Sequence, residues 1–396
     1  MTPSPAHPLE GVLILSLEQA VAAPFATRQL ADLGARVIKV ERVGEGDFCR
    51  GYDDAVGGLA SYFVWLNRTK ESLTLDVKAG EGLAILEELL ARADVFVTNL
   101  SHDAVARLGL AHEQLTARHP HLITCSVTGY DAHGPEAARR AYDLLVQAEA
   151  GAVAVTGSTA EAAKVGISIA DIAAGMYAYS AILAALYVRE RHGVAPPIEV
   201  NLFDALTEWM AQPLYVAAGR GSDPQRRGLH HASIAPYGPV RTADGAVVIV
   251  AVQNPAEWRR FCEIVLAAPV LAEDERFASN VARVAHRDAL EAEIAAVAGA
   301  LDGEAFAARL QAADVPFAAL RTPLEALAAL RARLGSLPVV ASEAGPVEIF
   351  GRPFTLGDSE LSLGPVPALG AHTAAILAEL GYPPERVAAL RAAGVV

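Results

Sequence analysis

One carboxylate stands out by its position. Asp171 directly precedes an uncharged run, Ile172 to Val188 (IAAGMYAYSAILAALYV). Such a run reads as a helix, and Asp is a favoured helix N-cap. From local sequence alone, capping is the stronger reading. The same place also suits chemistry, because free backbone N–H groups and the helix dipole favour negative charge there. Histidine offers one pair, His230-His231. Adjacent side chains on a strand point to opposite faces, so the pair makes a poor metal site, and no metal is expected. Cys49, Cys125 and Cys262 are far apart and lack CxxC spacing. That argues against a disulfide framework or a zinc knuckle. No HExxH, GxSxG or GxxxxGK[ST] occurs, so zinc-protease, nucleophile-elbow and P-loop chemistry have no support. Arg42, Lys78, Arg107 and Arg140 fall near predicted strand ends, where open α/β sheets bind ligands.

The elements that must position these residues follow from periodicity. Val12 to Leu17, Arg36 to Glu41, Leu73 to Val77, Asp94 to Thr98, Leu122 to Thr128 and Ile198 to Leu202 read as buried strands. Helical segments alternate with them, notably Pro24 to Leu33, Gly80 to Arg92 and His102 to Leu108. Strands separated by helices imply parallel βαβ units and a doubly covered sheet, an α/β class. Pro213 to Gly228 reads as a linker. Tyr237 to Asn254 reads as a hairpin turning at Asp244-Gly245. Pro255 to Ala267 and Asp288 to Ala312 read as helical stretches, and Ala371 to Leu380 as a last helix. The expected organisation is an α/β domain over 1–210, a smaller α+β domain over 225–325, and a tail over 326–396 with strand pieces and a last helix.

Composition narrows the function classes. The chain has 396 residues, 53% hydrophobic and 20% charged, enough to build a sizeable core and unlike a disordered chain. A formal charge of −14 opposes a nucleic-acid partner. The start, MTPSPAHPLEG, shows no signal-peptide pattern, and the cysteine usage fits a reducing cytoplasm. The Ile172–Val188 run is at the low end of membrane-span length. Its Ala, Gly and Tyr content is weakly hydrophobic, and no second span accompanies it, so no membrane association is expected. Strand, turn, helix and a strand ending at Glu41 imitate a dinucleotide fold. The turn Glu18-Gln-Ala-Val-Ala-Ala-Pro24 lacks glycine, however, and that disfavours an NAD enzyme.

Several blocks together resemble the family III CoA-transferases, the CaiB/BaiF type. They are LEGVLILSLEQAVAAPFATRQLADLGARVIKVER at the start, LNRTKESLTLDVK (Leu66 to Lys78), ADVFVTNL (Ala93 to Leu100), TCSVTGYDAHGP (Thr124 to Pro135), AYDLLVQ (Ala141 to Gln147) and KVGISIADIAAG (Lys164 to Gly175). They occur in family order across about the first 200 residues. The resemblance implies a Rossmann-like large domain built from both chain ends, with residues 326–396 returning to it, an interlocked homodimer, acyl-CoA and small carboxylic acids as substrates, and no tightly bound cofactor. It implies Asp171 as a covalent nucleophile that passes through a mixed anhydride and an aspartyl-CoA thioester. It places CoA contacts at Arg42, Leu75, Lys78, Asn99, Leu100, Arg107 and Arg140.

Two departures from the family refine the expectation. Val21 stands where formyl-CoA transferase has a glutamine, and Gln19, two residues earlier, is the candidate for that role at the oxyanion. The glycine run that closes over that enzyme's site is absent; the matching region reads RGLHHASIAPYG (Arg227 to Gly238). That stretch is similar to members acting on dicarboxylyl-CoA of the mesaconyl, itaconyl, succinyl or malyl type. His230, His231 and Arg50 are candidates for the far carboxylate, or the histidine pair only orders its loop. Transfer within one diacid would use the same chemistry. An α-methylacyl-CoA racemase is the alternative, but its histidine is replaced by Ala141, which cannot carry a proton. An inactive acyl-CoA-binding paralogue is a further alternative.

Overall fold

The computed structural model describes residues 7–396. Six short apolar runs form a parallel sheet: β1 Leu13–Leu17, β2 Arg36–Glu41, β3 Glu71–Thr74, β4 Val95–Thr98, β5 Ile123–Thr128 and β6 Ile198–Asn201. Their order is β3-β2-β1-β4-β5-β6. In register, Ile14 pairs with Val37 on one side and Val95 on the other. The chain therefore runs outward from β1 in one direction, then returns to continue from β4 in the other. That reversal opens a crevice between the carboxyl ends of β1 and β4.

Four helices matter for what that crevice holds: α1 (Ala22–Asp32), α2 (Gly80–Leu90), α3 (Asp143–Glu149) and α4 (Ile169–His192). The amphipathic α2 buries Ile85, Leu86 and Leu89 with Leu15, Ile38, Leu73 and Phe96 of the sheet. The C-terminal residues join the same core through Leu377, Leu390 and Val395. Their return is tied to β3, where Thr74 N donates to Thr373 Oγ1 at 3.0 Å. The burial of these apolar side chains, about 25 cal/mol per Å², holds the layers together.

The run that looked marginally like a membrane span is α4. It is long and apolar enough to cross a bilayer by length and composition, with mean hydropathy 1.6. In this fold its small side chains Ala170, Ala173, Ala174 and Ala178 are buried, and the helix packs on α1. A Cβ on Gly175 would lie 2.6 Å from the Ala22 carbonyl oxygen. The glycine therefore permits the close approach of α4 to the first turn of α1.

The chain divides into two compact units. One comprises Met1–Ala150, Val165–Ala211 and Ser336–Val396; the other comprises Gly151–Lys164 and Gln212–Gly335. The second unit has its own sheet of β7 (Tyr237–Arg241), β8 (Val247–Ala251) and β9 (Phe317–Ala319). Its core gathers Trp258, Phe261, Phe277, Leu290, Ile294 and Phe306. Two sequence expectations change. The linker expected over Pro213 to Gly228 is half helix, Ala211–Arg220, because its Pro lies in the first turn, where proline is tolerated. The single helical stretch expected over Asp288 to Ala312 is two helices, Arg287–Ala298 and Gly303–Ala312. Asp302 caps the second by accepting from Ala305 N at 2.7 Å.

Candidate active site

The crevice at the β1/β4 switch point opens into a cavity of about 820 Å³. Asp171 lies in its lining, together with Gln19, Asn99, Leu100 and Arg140. Three strand ends meet there. The β1–α1 connection brings Gln19, the residue after β4 is Asn99, and Gly129 follows β5. The two sides of the crevice are pinned together: Gln19 N donates to Asn99 Oδ1 at 2.9 Å, and Asn99 Nδ2 donates to the Gln19 carbonyl at 2.8 Å.

Asp171 does not cap its helix. α4 begins at Ile169 with Ser168 as N-cap, so Asp171 lies in the first turn. The Ala170 N–H, one of the donors a helix start leaves unpaired, is taken by Asp143 Oδ1 at 2.9 Å. Gln147, fully buried, holds the other oxygen of Asp143 with an Nε2–Oδ2 bond of 2.7 Å. The helix start is thus satisfied from α3, and the Asp171 carboxylate is left to the cavity. Burial pushes its pKa up to about 7, with the negative charge of Asp143 adding to the effect. The helix dipole was expected to favour the ionised form; desolvation and the like charge of Asp143 act in the opposite direction. Sequence reasoning missed Asp143. The only signal was an Asp in Ala-Tyr-Asp, 28 positions before Asp171, with nothing local to join the two.

The remaining side chains divide by placement. Arg140 lines the cavity and has no ion-pair partner among the described residues, whereas its neighbour Arg139 pairs with Glu149. Arg42 is exposed and paired with Glu45 at 3.2 Å. Lys78 and Arg107 are exposed outside this lining. Leu75 is buried in the core under the sheet. Arg50 is engaged within the protein: its guanidinium forms two 2.8 Å bonds with Glu41 and lies 3.7 Å from the centre of the Phe63 ring. A cation so committed is not available for a far carboxylate. His230 and His231 belong to the second unit and precede β7 rather than lying on a strand. His231 stacks on Tyr237 with ring centres 5.1 Å apart, and His230 Nδ1 is 3.1 Å from Glu291. Cys125 and Cys262 are buried and pushed up to about 12 by burial, and Cys49 is raised for the same first reason. None is a thiolate at neutral pH, and none lines the cavity.

Fold and site define an open α/β protein with a large crevice at its switch point and a half-buried carboxylate in the lining. Residues 9–373 match the model of CoA-transferase family III, and the chain belongs to that family. A succinate–glutarate CoA-transferase of Agrobacterium fabrum is 34% identical over 96% of this chain and 97% of its own length. A succinyl-CoA:mesaconate CoA-transferase of Haloarcula hispanica is 34% identical over 75% of this chain and 76% of its own. A crystal structure of a CaiB/BaiF family protein from Brucella suis superposes with a TM-score of 0.81 at 34% identity. It spans 95% of this chain and 100% of that one. The protein is a family III CoA-transferase, with acyl-CoA thioesters and carboxylates as its substrates.

Proposed function

We propose that Asp171 carries the transfer covalently and that the substrates are small dicarboxylic acids and their CoA thioesters. In the first step an Asp171 oxygen attacks the thioester carbonyl and the CoA thiolate leaves, giving a mixed anhydride. The thiolate then attacks the aspartyl carbonyl and expels the donor acid, leaving an aspartyl-CoA thioester. The acceptor carboxylate attacks that carbonyl, the thiolate leaves again, and its attack on the acceptor acyl carbon frees Asp171. The covalent intermediates divide one difficult exchange into easier steps. The observation that carries this reading is a carboxylate in a cavity lining with no donor to neutralise it among the described residues, raised towards pH 7 by burial.

The diacid substrate class is supported by the relatives named for succinate, glutarate and mesaconate. Arg140 supplies a cation for the phosphates of CoA. The working molecule is a cytoplasmic homodimer, as the resemblance implies.

The test is chemical trapping. Protein incubated with succinyl-CoA and then quenched with hydroxylamine is expected to show a hydroxamate at Asp171 by mass spectrometry. Asp171→Ala is expected to lose the label and to lower kcat by more than about a thousandfold. Full activity in that variant would refute the mechanism.

A further inference from the structure

We propose that Asp47 is a positioning residue for the reaction: seated on the buried Lys39, it takes the Ala20 N–H and fixes the Gln19–Ala20 turn at the edge of the Asp171 cavity. The proposal rests on the reading of Asp171 as nucleophile, and its own measurements are separable from that reading.

Ala20 has φ of 61°, in the left-handed region that a residue with a Cβ disfavours. It lines the same cavity as Asp171. A strained turn at such a place persists only if its surroundings hold it. Ala20 N donates to Asp47 Oδ1 at 3.1 Å, and Cys49 N donates to the same oxygen at 3.0 Å. The other oxygen, Asp47 Oδ2, accepts from Lys39 Nζ at 2.6 Å. Lys39 lies on β2 inside the sheet and is 0% exposed. A second buried lysine holds the turn from its other side: Lys70 Nζ donates to Glu18 Oε1 at 2.7 Å and to the Pro24 carbonyl at 3.0 Å. Asn67 Oδ1 accepts from both lysines, at 3.0 and 3.2 Å. With the Asn99 amide on Gln19, the chain from Glu18 to Pro24 is gripped at four residues.

Lys39, Lys70 and Arg50 face Glu18, Glu41 and Asp47, so the formal charges of the cluster balance. Buried ion pairs seldom outperform apolar packing as a source of stability. What a balanced and fully bonded network adds is a single geometry, and here that geometry belongs to the loop beside the nucleophile.

A double-mutant cycle tests it. The Asp47 carboxylate accepts three donors, whereas an amide has only one acceptor oxygen, so Asp47→Asn opposes at least one of them. Asp47→Asn is expected to lower kcat by at least about tenfold with KM for succinyl-CoA within about threefold. Ala20→Gly removes the left-handed penalty. In the Asp47→Asn background it is expected to recover kcat by at least about fivefold relative to its effect in the wild type. Unchanged kcat in Asp47→Asn, or additive effects of the two changes, would overturn the proposal. If Asp47→Asn does not fold, amide hydrogen exchange on the wild type decides. The Ala20 amide is expected to exchange at least about a hundredfold more slowly than an exposed turn, and fast exchange would overturn the proposal. Failure of the hydroxamate to appear at Asp171 would sink the nucleophile reading alone, because the coupling is read in kcat.

Discussion

At the scale of single residues, the central fact is a carboxylic acid whose environment disfavours its charge. In the mechanism proposed above Asp171 attacks as the ionised form, and burial with Asp143 beside it raises its pKa to about 7. A raised acid pKa delays ionisation, so activity rises through that pH rather than through the ordinary carboxylate range. The pH profile of kcat/KM, which reports the free enzyme, is expected to show an acid limb near pH 7. Asp143→Asn keeps the acceptor for Ala170 N and removes the like charge, so the limb is expected to move to lower pH. A limb that stays in place would mean that Asp143 does not tune the nucleophile. Asp171 was legible in the sequence because its surroundings, KVGISIAD, match the family block. Its protonation was not legible, because it depends on Asp143 and on burial, and neither is a property of neighbouring residues in the chain. Arg50 shows the converse. By type it could hold a substrate carboxylate, but nine residues earlier Glu41 already does what a substrate would.

Among elements, the site depends on how closely two helix starts approach. α1 and α4 meet where Gly175 faces the Ala22 carbonyl, and α1 follows directly on the turn that carries Gln19 and Ala20. Gly175→Ala forces a Cβ to 2.6 Å from a backbone oxygen that cannot rotate away. The change is expected to destabilise the fold by about 1–3 kcal/mol through overpacking. By displacing the first turn of α1 it is also expected to cut kcat by about ten- to a hundredfold. Thermal denaturation and steady-state kinetics on the same sample check both. An unaltered melting temperature with unaltered kcat would show that the helices have room to part. The strands were legible because a buried parallel strand is a plain apolar run. The broken helix at residues 299–302 was not, because an Ala-rich periodic stretch continues across it and only the Asp302 cap interrupts it.

For the molecule as a whole, the transferase assignment sets the kinetics. A covalent enzyme that releases one acid before taking the next is expected to give parallel lines in double-reciprocal plots. Substrate deuterated at the α-carbon is expected to retain its label through turnover. Loss of that label would instead favour the racemase chemistry, which Ala141 argues against. The long apolar helix α4 also resolves at this scale. By length it could span a bilayer, but the face it presents to α1 is made of small residues that let two backbones come close.

By itself the sequence determined the class: apolar runs at α/β spacing build the parallel sheet, and ordered family blocks identify a family III CoA-transferase. Those are properties of contiguous residues, which a chain carries before it folds. Only the tertiary structure decided which charges are free and which are spent. Lys39, Asp47, Glu18 and Lys70 look like ordinary surface residues in sequence, yet all four are buried and bonded to one another. The reason is physical. A charge can enter a low-dielectric interior only with its partner, and those partners are brought together by the sheet order, not by proximity along the chain.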